Sequence, residues 1–309
     1  MSASWSVITV MRNTPYEVMR FVAWYLDMGA DQIYIIFHDE NDPFIARLQG
    51  HPRITCIPFT ADLRAQMGID PDYAGPPQIQ AGTYLYPRVT TDWVLRLDCD
   101  ELVLCENGRL SERLAALPAD IQTAIIRPCE QLISDLPAHH HLFRMRMTDE
   151  DAQQIYGDMA ELLSKRRGLM SHAFGKSAHR TGIQNIEVRE HNAVFIGTNT
   201  RTNNLAWMRK KGVSLLHFNA EVFEKWKAAA ARRSRNASFA PALSAKILAA
   251  EASETADTEL RQIYDTIVHF DTRRTDALLE TDCGFVLDFD FDVLIDRYFD
   301  SAQLMLRAG

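Results

Sequence analysis

A chain of 309 residues with 47% hydrophobic and 24% charged residues is long enough to bury one substantial core or two small ones, which excludes a mini-protein and long disordered tracts. Its formal net charge of -8 argues against a general nucleic-acid binder, whose phosphate contacts need a cationic face. No run approaches the roughly 18 to 20 uninterrupted apolar residues of a membrane helix, and the strand-like opening SWSVITVM is not a signal peptide, so the cytoplasm is the expected location.

The elements follow in chain order. Trp5 to Met11 is a short, β-branched, apolar run that reads as a strand. Thr14-Pro15-Tyr16-Glu17 supplies an N-cap, a proline at the first helical position and a glutamate placed to close a capping box. The helix it opens runs to about Met28 and is stopped by Gly29. Gln32 to Phe37 is a second buried strand, Asp42-Pro43 opens a helix ended by Gly50, and Arg53 to Phe59 is a third strand. Alternation of this kind predicts a mainly parallel sheet.

After a loop around Gly75-Pro76-Pro77, a helical stretch from about Gln78 to Val89 leads to the apolar strand Trp93 to Leu97, which ends in Asp98-Cys99-Asp100-Glu101. Further on, Ala173 to Asn192 and Val213 to Phe218 read as strands. Ala220 to Arg235, Pro241 to Ala252 and Thr258 to Val268 read as helices, with Val222, Phe223 and Trp226 on one face. The composition shift near residue 220 predicts a sheet-bearing domain over 1–219 and a helical C-terminal extension over 220–309.

Chemistry is expected at the acidic cluster. In open α/β sheets ligands collect beyond the carboxyl ends of strands, and Asp98 and Asp100, two residues apart, point the same way if the backbone is extended. Paired carboxylates suit a hard divalent cation, Mn2+ or Mg2+, that shares its shell with substrate phosphates.

Three segments carry a family resemblance: ITVMRNTPYEVMRFVAWYLDMGADQIYIIFHDENDP near the start, DWVLRLDCDELVL in the middle, and LLHFNAEVFEKWKAAAARR later. Together they resemble the bacterial glycosyltransferase family 2-like proteins, close to glycosyltransferase family 92, over residues 5–110 and more loosely over 170–235. The resemblance implies a GT-A fold, a Rossmann-like mixed, mostly parallel sheet flanked by helices. It also implies a nucleotide-sugar donor, a carbohydrate or glycoconjugate acceptor in cell-surface polysaccharide synthesis, and transfer assisted by Mn2+ or Mg2+. Carried onto this chain, it sets Arg12 and Asn13 beside the nucleotide and Asp39 at the base or ribose. Asp98 then faces the ribose or the metal, Asp100 ligates the metal, Glu101 supports the site, and His217 is a third ligand or phosphate contact with His191 as an alternative.

Other residues are read from their chemistry alone. Lys176, Arg232 and Arg233 can meet phosphate oxygens, the arginines with a fixed fork of donors. Glu187 and Glu190 are available as a general base for the acceptor hydroxyl. His139-His140-His141 follow Pro137 and read as a loop, because three consecutive histidines cannot all face one ion in regular structure. Asp288, Asp290 and Asp292 read as a strand edge or helix entry, and the five cysteines, with no C-x-x-C pair, as reduced thiols. A metal-dependent phosphohydrolase or nucleotidyltransferase also places carboxylates at strand ends, and a non-catalytic carbohydrate-binding protein could use the same fold.

Overall fold

The computed structural model describes residues 2–70, 72–73, 77–202 and 204–299, so the Gly75-Pro76 part of the expected loop lies outside the described residues. In chain order the strands are β1 (Trp5–Met11), β2 (Gln32–Phe37), β3 (Ile54–Pro58), β4 (Trp93–Arg96), β5 (Glu101–Cys105), β6 (Thr123–Ile126), β7 (Pro128–Ser134), β8 (His140–Arg144), β9 (Lys176–Arg180), β10 (Ile186–Val188), β11 (Ala193–Phe195), β12 (Leu205–Trp207), β13 (Val213–His217), β14 (His269–Phe270) and β15 (Gly284–Asp288). The helices are α1 (Pro15–Asp27), α2 (Pro43–Leu48), α3 (Ala61–Gln66), α4 (Gln78–Leu85), α5 (Leu110–Ala115), α6 (Asp149–Tyr156), α7 (Ala160–Leu163), α8 (Phe223–Arg235), α9 (Pro241–Glu251), α10 (Ala256–Ile267), α11 (Thr272–Leu279) and α12 (Phe291–Tyr298). No helix among the described residues is long and apolar enough to cross a membrane.

These elements form two compact units that alternate along the chain. The first draws on Met1–Arg127, Gly175–Leu215 and Phe291–Gly309, the second on Pro128–Phe174 and Leu216–Asp290. The division therefore differs from a cut at 219/220: the helices after residue 220 share their unit with β7, β8, α6 and α7.

In the first unit seven of the described strands form a sheet of order β12-β6-β9-β4-β1-β2-β3, and β10 and β11 pair separately. β4, β1, β2 and β3 are parallel, as are β12 and β6, while β9 runs antiparallel between β4 and β6. The chain thus forms the expected mixed, mostly parallel sheet with helices on its faces. Parallel strands covered on both faces must be apolar throughout, which is why β2 reads QIYIIF without alternation.

The capping box at the start of α1 forms as the spacing predicts, with the Glu17 N–H on Thr14 Oγ1 at 3.4 Å and the Thr14 N–H on Glu17 Oε2 at 2.9 Å. Phe21, Val22 and Tyr25 of this helix are buried, and the Trp5 and Tyr25 rings meet edge to face at 6.1 Å. The opposite sheet face, bearing Ile8, Ile36 and Val94, packs against Ala81 and Leu85 of α4 and against Ile186 and Val188 of β10. α12 returns to this unit and seats on α1, with Phe291 against Trp24 at 5.7 Å and Arg297 paired to Asp27 at 2.6 Å.

The structure departs from the sequence reading in the later half. The single strand expected over 173–192 is two, β9 and β10, broken where Gly182 and Asn185 take positive φ. Residues 102–172, in which no element is predicted, hold strands of four to seven residues and short helices. At the start of α8, Phe223 and Trp226 are buried as expected, but Val222 is the N-cap residue and 59% exposed, so it does not share their face.

The second unit is built on β15-β8-β7, antiparallel at both pairings, with β14 parallel to β7. Its core gathers Leu142, Tyr156, Trp226, Leu243, Ile263, Tyr264 and Phe270. Only His139 of the three histidines lies in a turn, at φ 68, while His140 and His141 open β8 and correct the loop expectation. They disperse among separate partners: His139 with Asp290 at 3.5 Å, His140 with Asp288 at 4.0 Å, and His141 with the Phe289 carbonyl at 3.1 Å.

One ion pair lies wholly inside this unit. Glu130 on β7 and Arg144 on β8 are 0% and 1% exposed. Arg144 donates through Nε at 3.0 Å and Nη2 at 2.8 Å to Glu130 Oε2. The same carboxylate accepts the Met170 and Ser171 N–H groups, both at 2.7 Å, and the Ser171 hydroxyl. Burial alone would push this carboxyl up, but the Arg144 charge and these donors overturn that and hold it at about 2, below its ordinary 4.5.

Candidate functional site

The strand order β4-β1-β2 decides which residues can act together. Parallel strands share an orientation, so the residues following their carboxyl ends lie along one sheet edge. Asp98 to Asp100 follow β4, Arg12 and Asn13 follow β1, and Asp39 follows β2. Register tightens the placement, for Leu97 N–H bonds the Ile8 carbonyl at 3.0 Å and His38 N–H the Met11 carbonyl at 2.9 Å.

Arg12, Asn13 and Asp39 are exposed on this edge. Asn13 Oδ1 accepts the Arg12 N–H at 3.2 Å, and its Nδ2 donates to Glu17 Oε2 at 3.4 Å. Asp39 Oδ1 accepts the Asn41 N–H at 2.9 Å, which fixes the turn after β2.

The acidic segment itself is not extended. β4 ends at Arg96 and β5 starts at Glu101, and between them the Glu101 N–H closes a turn onto the Asp98 carbonyl at 3.0 Å. The same-side argument from i, i+2 spacing therefore does not apply to Asp98 and Asp100, because it requires extended backbone. Cys99, between them, is buried and donates its thiol to the Glu17 carbonyl at 3.4 Å, which ties the turn to the first turn of α1. Asp100 is half-buried at the tip.

Asp98 is held by three donors. Lys176 Nζ donates to Oδ2 at 2.5 Å, while Gln78 Nε2 at 2.9 Å and Arg96 Nη1 at 3.4 Å share Oδ1. Glu101 is 1% exposed and points inward, accepting the Asp98 N–H at 2.9 Å on the oxygen that lies 3.2 Å from Lys176 Nζ. Burial opposes charge on both Asp98 and Lys176, but their mutual attraction dominates, lowering the carboxyl and raising the ammonium from their ordinary values. Lys176, read from sequence as a phosphate contact, is 1% exposed and serves these two carboxylates instead.

Gly175 makes that placement possible. Its φ is +96°, and a Cβ built there would lie 1.9 Å from the Ile126 carbonyl oxygen, so no side chain fits. Gly175→Ala is expected to cost about 1–3 kcal/mol from backbone strain alone, read as a lower urea midpoint. His191 braces the same segment: Nδ1 meets the Gly175 carbonyl at 2.8 Å and its own carbonyl accepts the Ser177 hydroxyl at 2.7 Å.

The remaining predicted residues are dispersed. Glu187 on β10 pairs with Arg189, and Glu190 is exposed in the following turn. His217, Arg232 and Arg233 belong to the second unit. There the His217 ring lies 5.5 Å from that of His172, Arg233 pairs with Glu221 at 2.5 Å, and Arg232 is exposed on α8. The sequence reading missed Arg96, Gln78 and Gly175. An arginine inside the apolar run WVLR, two residues before Asp98, was the available signal for the first; Gln78 carries none.

This geometry tests the expected metal. Among the described residues no group of three or more His, Cys, Asp and Glu side chains could hold an ion. Asp98 already accepts three N–H donors, and Glu101 is turned to Lys176. Asp98 and Glu101 are therefore committed to donors of the protein itself and not to an ion.

No protein-family model and no curated protein matches the chain. Over 58% of its length it is similar to a mannosyltransferase from Pyrobaculum calidifontis in complex with GDP-Man and Mn2+, at 10% identity, 45% coverage of that chain and a TM-score of 0.31. Over 58% it is also similar to glucosyl-3-phosphoglycerate synthase from Mycobacterium tuberculosis in complex with Mn2+, UDP and glucosyl-3-phosphoglycerate, at 14% identity, 57% coverage and a TM-score of 0.31. The match to the apo WbbM bifunctional glycosyltransferase covers 41% of this chain at 15% identity and a TM-score of 0.28, and spans only 23% of that protein. Likenesses of 10–15% identity at TM-scores of 0.28–0.31 leave the functional assignment to the chain's own residues.

Proposed function

We propose that the protein is a GT-A-type glycosyltransferase that moves a sugar from a nucleoside diphosphate donor to a hydroxyl of a carbohydrate or glycoconjugate acceptor. The observation that carries this reading is the convergence of Asp98, Asp100, Arg12, Asn13 and Asp39 on one edge of a parallel sheet. A nucleotide-binding crevice is expected at such an edge. The three sequence segments that resemble bacterial family 2-like transferases supply the residue pattern at that edge.

In this reading Asp39 meets the base or ribose, Arg12 and Asn13 flank the diphosphate, and Asp98, fixed by Lys176, Gln78 and Arg96, meets the ribose. Asp100 would help to hold Mn2+ or Mg2+, which would supply stabilisation of the negative charge on the leaving nucleotide. Of the two candidate bases, Glu190 is exposed, whereas Glu187 is already paired to Arg189. Glu190 is therefore the better proton acceptor for the incoming hydroxyl. Arg232, Arg233 and His217 belong to the second unit, where Arg233 is paired to Glu221. The cytoplasm and a role in cell-surface polysaccharide synthesis belong to the same proposal.

Calorimetry with UDP-, GDP-, CMP- and dTDP-sugars, with and without Mn2+, tests it. Binding of one nucleotide class that strengthens with Mn2+ is expected. Metal-independent silence across the whole panel overturns the reading, and nucleotide release with no sugar reaching any acceptor would favour a phosphohydrolase.

A further inference from the structure

Lys176 sits where two carboxylates converge. Its ammonium is 2.5 Å from Asp98 Oδ2 and 3.2 Å from Glu101 Oε2, and its side chain is 1% exposed. Two carboxylate oxygens aimed at one buried point make a cation position by their chemistry. Here the occupant is covalently attached, delivered from the start of β9 by the backbone at Gly175 that no other residue could adopt. The remaining Asp98 oxygen is taken by Gln78 and Arg96, so the charges of Asp98 and Glu101 are balanced from within the protein.

We infer that Lys176 is a built-in counter-cation of the Asp98-to-Glu101 turn: it holds the turn in shape without a divalent ion and bars one from Asp98 and Glu101. A divalent ion then enters only with a nucleoside diphosphate, through Asp100. This last step rests on the proposed function; the exclusion at Asp98 and Glu101 does not.

The physical basis is charge and volume. A second cation placed between these oxygens would face the ammonium and the Arg96 guanidinium at contact distance, with little solvent to screen them. Removing the lysine charge reverses the balance, leaving two facing carboxylates and a space the size of the lost head group. Arginine in its place keeps the charge and keeps the position closed.

Mn2+ alone is the probe, titrated against the protein with the free-ion signal followed by electron paramagnetic resonance. The wild type is expected to bind weakly. Lys176→Met should bind at least tenfold more tightly without nucleotide, and Lys176→Arg should stay at the wild-type level. Wild type and Lys176→Met binding Mn2+ equally would overturn the inference. Should Lys176→Met fail to fold in metal-free buffer, recovery of the native circular dichroism with millimolar Mn2+, and not with EDTA, supports the inference; failure of Mn2+ to restore either Lys176→Met or Lys176→Gln sinks it. Because no nucleotide enters these titrations, a failed nucleotide panel would remove the proposed function and leave this result standing.

Discussion

Glu130→Ala is expected to lower the stability of the second unit by about 3–5 kcal/mol, the cost of leaving one partner of a buried ion pair uncompensated. Its carboxylate is the shared acceptor for Arg144, two backbone N–H groups and the Ser171 hydroxyl, with no exposed surface. Arg144 would retain Tyr156 Oη at 3.2 Å and the Ile267 carbonyl at 2.6 Å, neither of which balances its charge. Equilibrium urea unfolding monitored by tryptophan fluorescence, which senses Trp226 in this core, measures the loss. A change under about 1 kcal/mol would show that the pair is dispensable.

The same group sets a pH dependence. Its folded carboxyl titrates at about 2 against an ordinary 4.5, so the stability it contributes is complete above about pH 4.5 and is lost as pH falls toward 2. Linkage makes the full contribution about 3 kcal/mol. Glu130→Gln should flatten that part of the acid stability profile; an unchanged profile would place the acid sensitivity elsewhere.

Asp100→Ala is expected to reduce sugar transfer by about two to three orders of magnitude while the melting temperature changes little. Stabilising the charge on a departing diphosphate is worth several kcal/mol, and each 1.4 kcal/mol is about tenfold in rate. Asp98, Glu101 and Cys99 anchor the turn through Lys176, the Asp98 N–H and the Glu17 carbonyl, and the substitution leaves these contacts in place. The measurement is turnover with whichever donor the calorimetric panel identifies, together with a thermal melt. Full turnover in Asp100→Ala would sink its metal role, and unaltered ligand binding with no turnover in the wild type would point to a carbohydrate-binding protein.

What could be read from sequence was local. The Thr14–Glu17 box, the stop at Gly29 and the apolar runs of β1, β2 and β4 are each specified within a few residues, and the structure contains them. The site was legible as a position and not as a geometry. Asp98 could be placed at a strand end, but its partner Lys176 is 78 residues away, at the start of an antiparallel strand inserted into a parallel sheet. Residues 128–144 were opaque for a related reason: Glu130 and Arg144 interrupt the apolar pattern of β7 and β8, and only their meeting across the pair makes either one a core residue.

The assembly of the first unit from three separated stretches bears on how the nascent chain reaches its native state. β1 to β4 leave the ribosome long before β9, so the growing sheet presents β4 as an open edge with unpaired backbone groups, a template for wrong pairing. The flank of α1 that α12 later covers stays bare longer still. Closure therefore waits on partners distant in the chain, the arrangement in which folding is slow and a holding chaperone has most to protect.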